Sequence, residues 1–325
     1  MTLHISEAEV REVLDMPQAI QAVEEVSRKQ ASGEVVVHPR RRFEFPGGGF
    51  FHYMAAADYS AGFVAMKQYT FVNGNLQFLV PLYEMASGRL LALIEADYMG
   101  QLRTGAASGV ATKYLARENS RIAAIIGTGG QAKTQLEAVG SVRKLESARV
   151  YGRSAGKREK FCAEMSARLG IPVAASASSG EAVRGADIVC TATTSSQPVL
   201  FGADLSPATH INAIGANHAH KRELDDDAVA SADVIVVDSV EQSRQEAGDL
   251  ILAFHGDEIC WTGVRKLSDV VAGKISGRTS NAEVTLFKSN GIASWDLAAA
   301  MKVYATARDK KLGRELPLWD AHAPG

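Results

Sequence analysis

Apolar residues recur at near-helical spacing from about residue 5 to residue 32, which predicts one helix there with Pro17 in a first turn. From residue 35 to residue 93 the pattern changes to short apolar runs separated by turn residues, which predicts an antiparallel or mixed sheet. The predicted strands are residues 35–38, 43–45, 49–54, 63–69, 80–85 and 90–94. The predicted turns are Gly47-Gly48, Asn73-Gly74 and Ser87-Gly88, and a helix of small residues follows at 105–116.

From residue 121 onward, short apolar runs alternate with helical segments. The predicted strands are residues 122–126, 148–151, 173–175, 188–191, 210–214 and 234–237. This alternation is typical of a doubly wound parallel sheet with helices on both faces. After the apolar run Val284-Thr-Leu-Phe, a last helix is predicted from about residue 295 to residue 308, and we expect it to return to the first domain.

The change of pattern predicts the domain organisation. A chain of 325 residues is long enough for two domains. We expect an α+β domain from residues 1–118 and 295–325, and a Rossmann-type domain from residues 119–294. The predicted fold class is therefore α/β, a doubly wound parallel sheet plus an α+β domain.

The turn after the strand at 122–126 carries the most specific signal for a ligand. Gly127-Thr-Gly129 opens into a helical segment, so backbone N–H groups can approach a pyrophosphate at the positive end of the helix dipole. Gln131 follows in the motif, and Ala132 stands where a third glycine would allow close helix–strand packing. The alternative is a plain connector between a strand and a helix. The βαβ context favours dinucleotide binding.

Composition and charge narrow the class of partner. A net charge of −2 gives no reason to expect nucleic acid or an anionic membrane as a partner. The first residues carry no secretory signal pattern, and no apolar run is long enough to span a bilayer. Three distant cysteines form neither a disulfide framework nor a zinc spacing, so a reducing, cytoplasmic setting is expected. His218 and His220 have no evident further ligands, so no metal site is predicted.

Several segments together resemble the ornithine cyclodeaminase/mu-crystallin family. They are Met66-Lys67, residues 102–111 (LRTGAASGVA) with 114–117 (YLAR), residues 127–132 (GTGGQA), residues 211–215 (INAIG) with 222–225 (RELD), and residues 285–289 (TLFKS) with Gly291. The similarity spans nearly the whole chain. It implies an enzyme that uses a nicotinamide cofactor at a carbon–nitrogen centre, and a homodimer joined through the sheets of the first domain. The α+β domain would then bind substrate and mediate dimerisation.

The resemblance assigns substrate-binding positions to cations. Arg103 and one arginine of the run Arg40-Arg41-Arg42 match the positions that bind the substrate carboxylate, a task suited to a permanently charged, bidentate donor. Alternation along a strand turns only one face of that run to a pocket; the alignment favours Arg40, and Arg41 is the second choice. Lys67 lies in an apolar run, where lysine is costly unless it is paired or functional. Its alternatives are a lysine that extends from a sheet edge to solvent, or a catalytic lysine that contacts the substrate and assists proton transfer.

Asn217 departs from the cyclodeaminase pattern. The cyclodeaminase has an aspartate in this loop that serves as acid and base for the amine, whereas asparagine cannot take up a proton. The substitution disfavours conversion of ornithine to proline and ammonia, and favours simple imine reduction or amino-acid oxidation. Asn217 is retained as a substrate-binding candidate, and Asp225 is expected only to begin a helix.

The remaining candidates concern the cofactor. An arginine after the second strand can accept the 2′-phosphate of NADP, while an acid there would bind the ribose of NAD. Arg153 and Ser154 follow this strand with no acid, which favours NADP or tolerance of both cofactors; Arg153 stacked on adenine is the alternative. The resemblance places Thr104 at the pyrophosphate, Thr191 and Thr193 at the ribose side, and Ser289 in a nicotinamide-side loop. Gly215 completes the cofactor set.

The expected function is NAD(P)H-dependent reduction of an α-imino acid to an L-amino acid, reversible in principle. Candidate substrates are iminosuccinate, a cyclic ketimine such as pyrroline-2-carboxylate, and the imine of pyruvate. The alternatives are ornithine cyclodeamination and a binding protein that holds cofactor and ligand without turnover.

Overall fold

The computed structural model describes residues 1–318. Its strands are β1 Thr2–Ile5, β2 Val35–Glu44, β3 Phe50–Asp58, β4 Phe63–Val72, β5 Asn75–Glu84, β6 Leu90–Glu95, β7 Ile122–Ile126, β8 Ser147–Tyr151, β9 Val173–Ala175, β10 Ile188–Thr191, β11 His210–Ala213, β12 Val234–Val237, β13 Arg265–Lys266, β14 Thr285–Lys288 and β15 Arg314–Leu316. Its α-helices are α1 Glu7–Val13, α2 Met16–Ser32, α3 Asp97–Leu115, α4 Gly130–Val142, α5 Ala155–Leu169, α6 Ser179–Val183, α7 Asp226–Ala230, α8 Val240–Glu246, α9 Gly248–Ala253, α10 Leu267–Val271 and α11 Ala293–Asp309. Short 3₁₀ helices lie at Gly202–Asp204 and Glu258–Gly263.

The chain divides into two compact units. The first unit is Met1–Arg103 together with the chain from Ile292 onward, and the second unit is Thr104–Gly291. The division at residues 103 and 104 falls inside helix α3, whereas the predicted boundary lay at residues 118 and 119. Residues 319–325 of the predicted 295–325 segment lie outside the described residues.

The sheet of the first unit is mixed. Its strand order is β15-β1-β6-β5-β4-β3-β2, and neighbouring strands are antiparallel except for β1 and β6. The predicted runs 35–38 and 43–45 form one strand, β2, with an irregularity between His38 and Arg41. The short strands β1 and β15 had no counterpart in the prediction.

The predicted helix from residue 5 to residue 32 is wrong as a single element. Ile5 ends strand β1, and two helices follow because each has its own N-terminal cap. Ser6 caps α1 and Asp15 caps α2, each in a reciprocal capping box. Pro17 lies in the first turn of α2, as expected. The helix predicted at 105–116 begins earlier, at Asp97 of α3.

Helices α2 and α11 pack on one another, and α11 covers one face of the sheet of the first unit. Alternation along strands β3 and β4 places Met54, Ala65 and Lys67 on this covered face, where all three are buried. Phe51 and Met66 point to the opposite face and are half-buried. The packed face of this unit therefore carries a lysine.

The sheet of the second unit is parallel, with the order β13-β12-β14-β11-β10-β7-β8-β9. Ala123 and Ile125 of β7 belong to one apolar cluster, and Ala124 and Ile126 belong to another, so the sheet has a core on each face. The Rossmann-type fold is confirmed, and all six predicted strands occur. Strand β14 lies between β11 and β12 in this sheet, and the short strand β13 forms its edge beside β12.

Strand order reverses between β7 and β10. From β7 the chain proceeds through β8 to β9 in one direction, and then places β10 on the other side of β7. In open parallel sheets, ligands bind beyond the carboxyl ends of the strands at such a point. Within residues 1–318, no helix is long and apolar enough to cross a membrane.

Candidate functional site

The turn between β7 and α4 brings backbone close to backbone. Gly127 has a φ of +123°, and a Cβ atom there would lie 2.4 Å from the carbonyl oxygen of Ala192. Gly129 is the N-cap residue of α4, has no side chain to cap it, and faces open space. The start of this helix therefore presents N–H groups and a positive dipole end to an anion, as a cofactor pyrophosphate requires.

Gln131 and Ala132 of the motif differ in how deeply they are buried. Ala132 is fully buried in the apolar cluster that contains Ile125, so a small residue permits close packing of α4 on the sheet. Gln131 is half-buried, and its Oε1 atom is buried without a hydrogen-bond partner.

A cleft of about 410 Å³ opens beyond the carboxyl ends of β7, β8 and β10. It is lined by residues 126–129, by residues 151–154 with Lys157, and by residues 192–195 with Val199. Arg153 and Lys157 are exposed, and no acid is among the lining residues. Ser154 caps helix α5. The lining fits a phosphate-bearing dinucleotide, because its glycine turn, helix start and cations all favour negative charge.

A buried carboxylate that the prediction missed organises one side of this cleft. Glu223 is fully buried and accepts hydrogen bonds from Thr191 Oγ1 at 2.8 Å, Thr193 N at 2.6 Å, Thr193 Oγ1 at 2.7 Å and Gly215 N at 2.7 Å. Burial raises the pKa of Glu223, while the charge of Lys288 and the hydrogen bonds from Thr193 oppose the rise.

Three predicted cofactor residues thus meet at Glu223, but only one lines the cleft. Thr193 is a lining residue, whereas Thr191 is fully buried. Gly215 lies where a Cβ atom would approach Thr193 O to 2.3 Å and Glu223 Oε1 to 2.5 Å. Any larger residue at 215 would displace both neighbours.

A second buried carboxylate holds the turn after β14. Asp238 accepts hydrogen bonds from Ser289 Oγ at 3.2 Å, Asn290 N at 2.7 Å and Gly291 N at 2.6 Å. Ser289 is therefore buried and engaged with Asp238. Burial raises the pKa of Asp238 above its ordinary value, and the backbone hydrogen bonds from Asn290 and Gly291 offset part of this rise. Thr104, the remaining cofactor candidate, is buried in α3.

In the first unit, two predicted cations converge on one acid. Asp296 Oδ1 lies 3.2 Å from Lys67 Nζ and 2.9 Å from Arg103 Nε. All three side chains are at most 6 % exposed. Two buried atoms of this group, Arg103 Nη1 and Asp296 Oδ2, have no hydrogen-bond partner. We call these residues the Lys67–Arg103–Asp296 cluster.

The cluster changes the proton affinity of Lys67. Burial, followed by the charge of Arg103, lowers the pKa of Lys67 to about 8, although Asp296 acts in the opposite direction. The charge of Arg40 also lowers it. A lysine with this pKa can hold and release a proton near neutral pH. The Nζ atom also lies 5.0 Å from the centre of the Phe78 ring.

The arginine run on β2 is divided between the faces of the sheet. Arg41 pairs with Tyr53, which pairs with Gln68, so Arg41 lies on the face opposite Lys67. Arg40 lies in the irregularity of β2, is half-buried, and is close enough to affect Lys67. The structure thus brings Arg40 near the cluster and leaves Arg41 apart from it.

Asn217 lies in the loop after β11. Its Oδ1 atom is 2.9 Å from Nδ1 of His218, and the rings of His218 and His220 have centres 5.6 Å apart. No group of three histidine, cysteine or acidic side chains in residues 1–318 is arranged to hold a metal ion.

Asp296 is the residue of the cluster that the sequence prediction missed. It lies in the Ala-rich helix α11, where it is 1 % exposed. Like Lys67, Asp296 is a charged residue within an apolar run, which is rare unless the charge is paired or functional. Its partners lie so far away along the chain that no local pattern joins them.

A profile of the ornithine cyclodeaminase/mu-crystallin family matches residues 2–311. The Δ1-pyrroline-2-carboxylate reductase of Bacillus cereus is 38% identical over 246 residues, which are 75% of this chain and 74% of the relative.

Two solved structures are similar over nearly the whole chain. The Δ1-pyrroline-2-carboxylate reductase of Thermococcus litoralis, in complex with NADH and L-proline, has a TM-score of 0.93 and 36% identity, and the alignment covers 97% of this chain and 100% of that chain. An archaeal alanine dehydrogenase dimer with bound NAD has a TM-score of 0.92 and 35% identity, with 98% and 99% covered. These matches confirm the resemblance that the motifs indicated.

Proposed function

Because this chain belongs to the ornithine cyclodeaminase/mu-crystallin family, we propose that it reduces Δ1-pyrroline-2-carboxylate to L-proline with a reduced nicotinamide cofactor. The protein is an oxidoreductase that acts on C=N or CH–NH2 groups. The choice of a cyclic imino acid follows relatives that carry this activity in their names. Iminosuccinate and the imine of pyruvate are the alternative substrates.

The Lys67–Arg103–Asp296 cluster is the observation that carries the proposal. Arg103 Nη1 is a buried cationic donor without an acceptor, which suits the carboxylate of an α-imino acid. Lys67 carries a proton that it can lose near pH 8, so it can protonate the imine nitrogen. Reduction adds a hydride to the imine carbon and a proton to the nitrogen, and the cofactor supplies the hydride. Lys67 is therefore the proposed catalytic residue.

The cofactor is proposed to bind in the cleft of the second unit. Gly127, Gly129 and the start of α4 would hold the pyrophosphate, with Gln131 and Ala132 in the same turn. Arg153 and Ser154 would meet the adenosine end, and Thr193 the ribose side. The cations and the missing acid there favour NADP, or use of both cofactors, while the relatives were solved with NADH and NAD.

A homodimer is proposed through the face of the mixed sheet opposite α11. Phe43 and Phe51 pair across β2 and β3 on the face opposite Lys67, and Tyr53 stacks with Phe43. Phe43 is 59% exposed, which is unusual for a large apolar side chain. A second copy presenting the same face would bury these rings, and a relative is described as a dimer. A cytoplasmic location is also proposed, since Cys162, Cys190 and Cys260 form no disulfide.

The rival activity is ornithine cyclodeamination. Asn217 cannot take up a proton, and Asp225 is engaged as the N-cap of α7, where its Oδ1 accepts from Ala228 N at 2.8 Å. Neither Asn217 nor Asp225 therefore serves as a carboxylate base for the amine in this loop. An Asn217→Asp variant that gains ornithine turnover would support this argument.

The proposal is tested by following oxidation of NADH and NADPH with a panel of substrates. The panel contains Δ1-pyrroline-2-carboxylate, pyruvate with ammonium, and oxaloacetate with ammonium, the last two forming acyclic imines. We expect turnover to be fastest with the cyclic imine. Release of ammonia and proline from L-ornithine in the presence of NAD would contradict the proposal, and cofactor binding without turnover on any imine would favour a binding protein.

A further inference from the structure

One residue holds both ends of a segment that forms a wall of the cleft. Residues 193–199 follow strand β10, and Thr193, Ser195 and Val199 line the cleft. Thr193 at the beginning of this segment donates two hydrogen bonds to the side chain of Glu223. Val199 N at its end donates to the backbone oxygen of Glu223 at 2.7 Å. We call this arrangement the Glu223 clasp.

The clasp also fixes the interior of the segment. Thr193 Oγ1 donates to Glu223 Oε1 and accepts from Ser195 N at 3.1 Å. The hydroxyl group of Thr193 is therefore fixed both as a donor and as an acceptor. Because segment 193–199 contains no helix or strand, these hydrogen bonds replace the regular ladder that would otherwise set its shape.

The hydrogen bonds use both oxygens of the Glu223 side chain. Oε1 accepts from the backbone N–H of Thr193, and Oε2 accepts from the backbone N–H of Gly215. Each oxygen also accepts one threonine hydroxyl. Four donors thus meet two acceptor atoms, which only a carboxylate provides. A glutamine must turn its NH2 group toward one of these backbone N–H groups.

The Glu223 clasp is hydrogen-bonded to a buried ion pair. Glu223 N donates to Asp249 Oδ1 at 2.6 Å, and Asp249 Oδ2 lies 2.9 Å from Lys288 Nζ. Lys288 and Asp249 are both fully buried. Lys288 also donates to the backbone oxygen of Ala216, next to Gly215. The ends of β10, β11 and β14 are therefore joined through one polar network.

We infer that Glu223 is a positioning residue that shapes the cofactor cleft by clasping segment 193–199, and that Thr191 acts on the cofactor only through Glu223. This inference rests on the proposed cofactor site but not on the identity of the imine. A positioning role predicts weaker cofactor binding when the clasp is broken, since the wall of the cleft loses its preorganised shape.

The test compares NADH and NADPH dissociation constants, measured by cofactor fluorescence, in wild type and in Glu223→Gln. We expect affinity to fall about tenfold or more, since one buried backbone N–H loses its acceptor. Thr191→Val is the milder variant, because it removes one donor from a fully buried position without changing the side-chain shape. We expect it to weaken binding by about threefold alone and to add nothing in the Glu223→Gln background.

Asp187→Asn is the matched control. Asp187 accepts hydrogen bonds from Arg121 N at 2.7 Å and Ile122 N at 2.9 Å, and it pairs with Arg117. It also joins two strands of the same sheet, but at their amino ends, away from the cleft. Its loss should lower the melting temperature and leave cofactor affinity unchanged.

Three outcomes overturn the inference. They are unchanged affinity in Glu223→Gln, an equal loss of affinity in Asp187→Asn, and additive effects of the Glu223 and Thr191 variants. If Glu223→Gln does not fold, the test uses Thr191→Val instead. Unchanged cofactor affinity in Thr191→Val would then overturn the inference. Wild-type protein that binds neither cofactor would instead contradict the proposed function.

Discussion

Two of the buried charge groups described above, the Glu223 clasp and the Lys67–Arg103–Asp296 cluster, differ in how completely their atoms are paired. The Glu223 clasp satisfies both carboxylate oxygens with four donors, and all of its partners belong to the second unit. The Lys67–Arg103–Asp296 cluster is also buried, yet Arg103 Nη1 and Asp296 Oδ2 have no hydrogen-bond partner. Burying a polar atom without a partner costs free energy that folding alone does not recover.

We propose that this difference separates a group that supports the structure from a group that binds a ligand. A saturated carboxylate can only hold its neighbours in place, because it has no capacity left for a substrate. A cation and an acid with unpaired atoms retain the capacity to bind a carboxylate and an N–H group. Burial and a second cation also lower the pKa of Lys67 in this cluster to about 8.

The largest expected effect comes from removing a cation of the unsaturated cluster. Lys67→Ala should lower kcat by roughly 10²–10⁴-fold, because proton transfer to the imine is lost. Arg103→Ala should lower kcat/KM strongly, because the substrate carboxylate loses its buried donor. Cofactor dissociation constants should change little in both variants, since the proposed cofactor cleft lies in the second unit.

Lys29→Ala is the matched control for this comparison. Lys29 also pairs with a fully buried acid in the first unit, with 2.9 Å between its Nζ and Asp58 Oδ2, but it is not part of the cluster. Its removal should affect stability more than turnover. Rates within about threefold of wild type for both Lys67→Ala and Arg103→Ala would contradict the assignment.

A smaller effect is expected from pH. The pKa of Lys67 lies below its ordinary value, at about 8, so Lys67 loses its proton as pH rises through that value. Imine reduction needs the protonated form, and kcat/KM for reduction should fall above pH 8, while amino-acid oxidation should rise. Asp296 raises the pKa of Lys67, so Asp296→Asn should move the inflection to lower pH.

Profiles of kcat/KM against pH for wild type, Asp296→Asn and Lys67→Arg test whether Lys67 is the group that titrates. The guanidinium group does not titrate in this range, so the inflection should disappear in Lys67→Arg even if turnover is slow. An inflection that persists unchanged in Lys67→Arg would assign it to another group.

The smallest expected effect concerns cofactor choice. Arg153 lines the cleft but is exposed, so solvent screens any contact with a 2′-phosphate. Arg153→Ala should weaken the binding of NADPH by about three- to tenfold and the binding of NADH much less. Lys160→Ala serves as a control, because Lys160 is an exposed cation in helix α5, which follows Arg153, and it lies outside the cleft lining. Equal losses for both cofactors in Arg153→Ala would favour stacking on adenine.

The parallel sheet could be predicted because its strands are continuous apolar runs, as at residues 122–126 and 188–191, which coincide with β7 and β10. The helix predicted at 5–32 failed for a local reason. Its apolar period continues across Asp15, although Asp15 begins a new helix there as the N-cap of α2. Strands β1 and β15 are too short to carry a period of their own.

For the candidate site, the sequence predicted single residues better than their partners. Lys67 stood out as a charge in an apolar strand, and Gly127 as part of a glycine turn. The roles of Asp296, Glu223 and Asp238 depend on contacts between distant segments, which no local pattern records. The exclusion of Arg41 from the cluster depends likewise on the irregularity in β2, which shifts the register between His38 and Arg41.

Isotope transfer tests the central claim most directly. The protein is given Δ1-pyrroline-2-carboxylate and a reduced cofactor deuterated at both C4 positions, and the product is analysed by mass spectrometry and NMR. Our account predicts L-proline that carries one deuterium, located on the α-carbon, at a rate that Lys67→Ala lowers by roughly 10²-fold or more. Absence of proline, or proline without deuterium at the α-carbon, would contradict it.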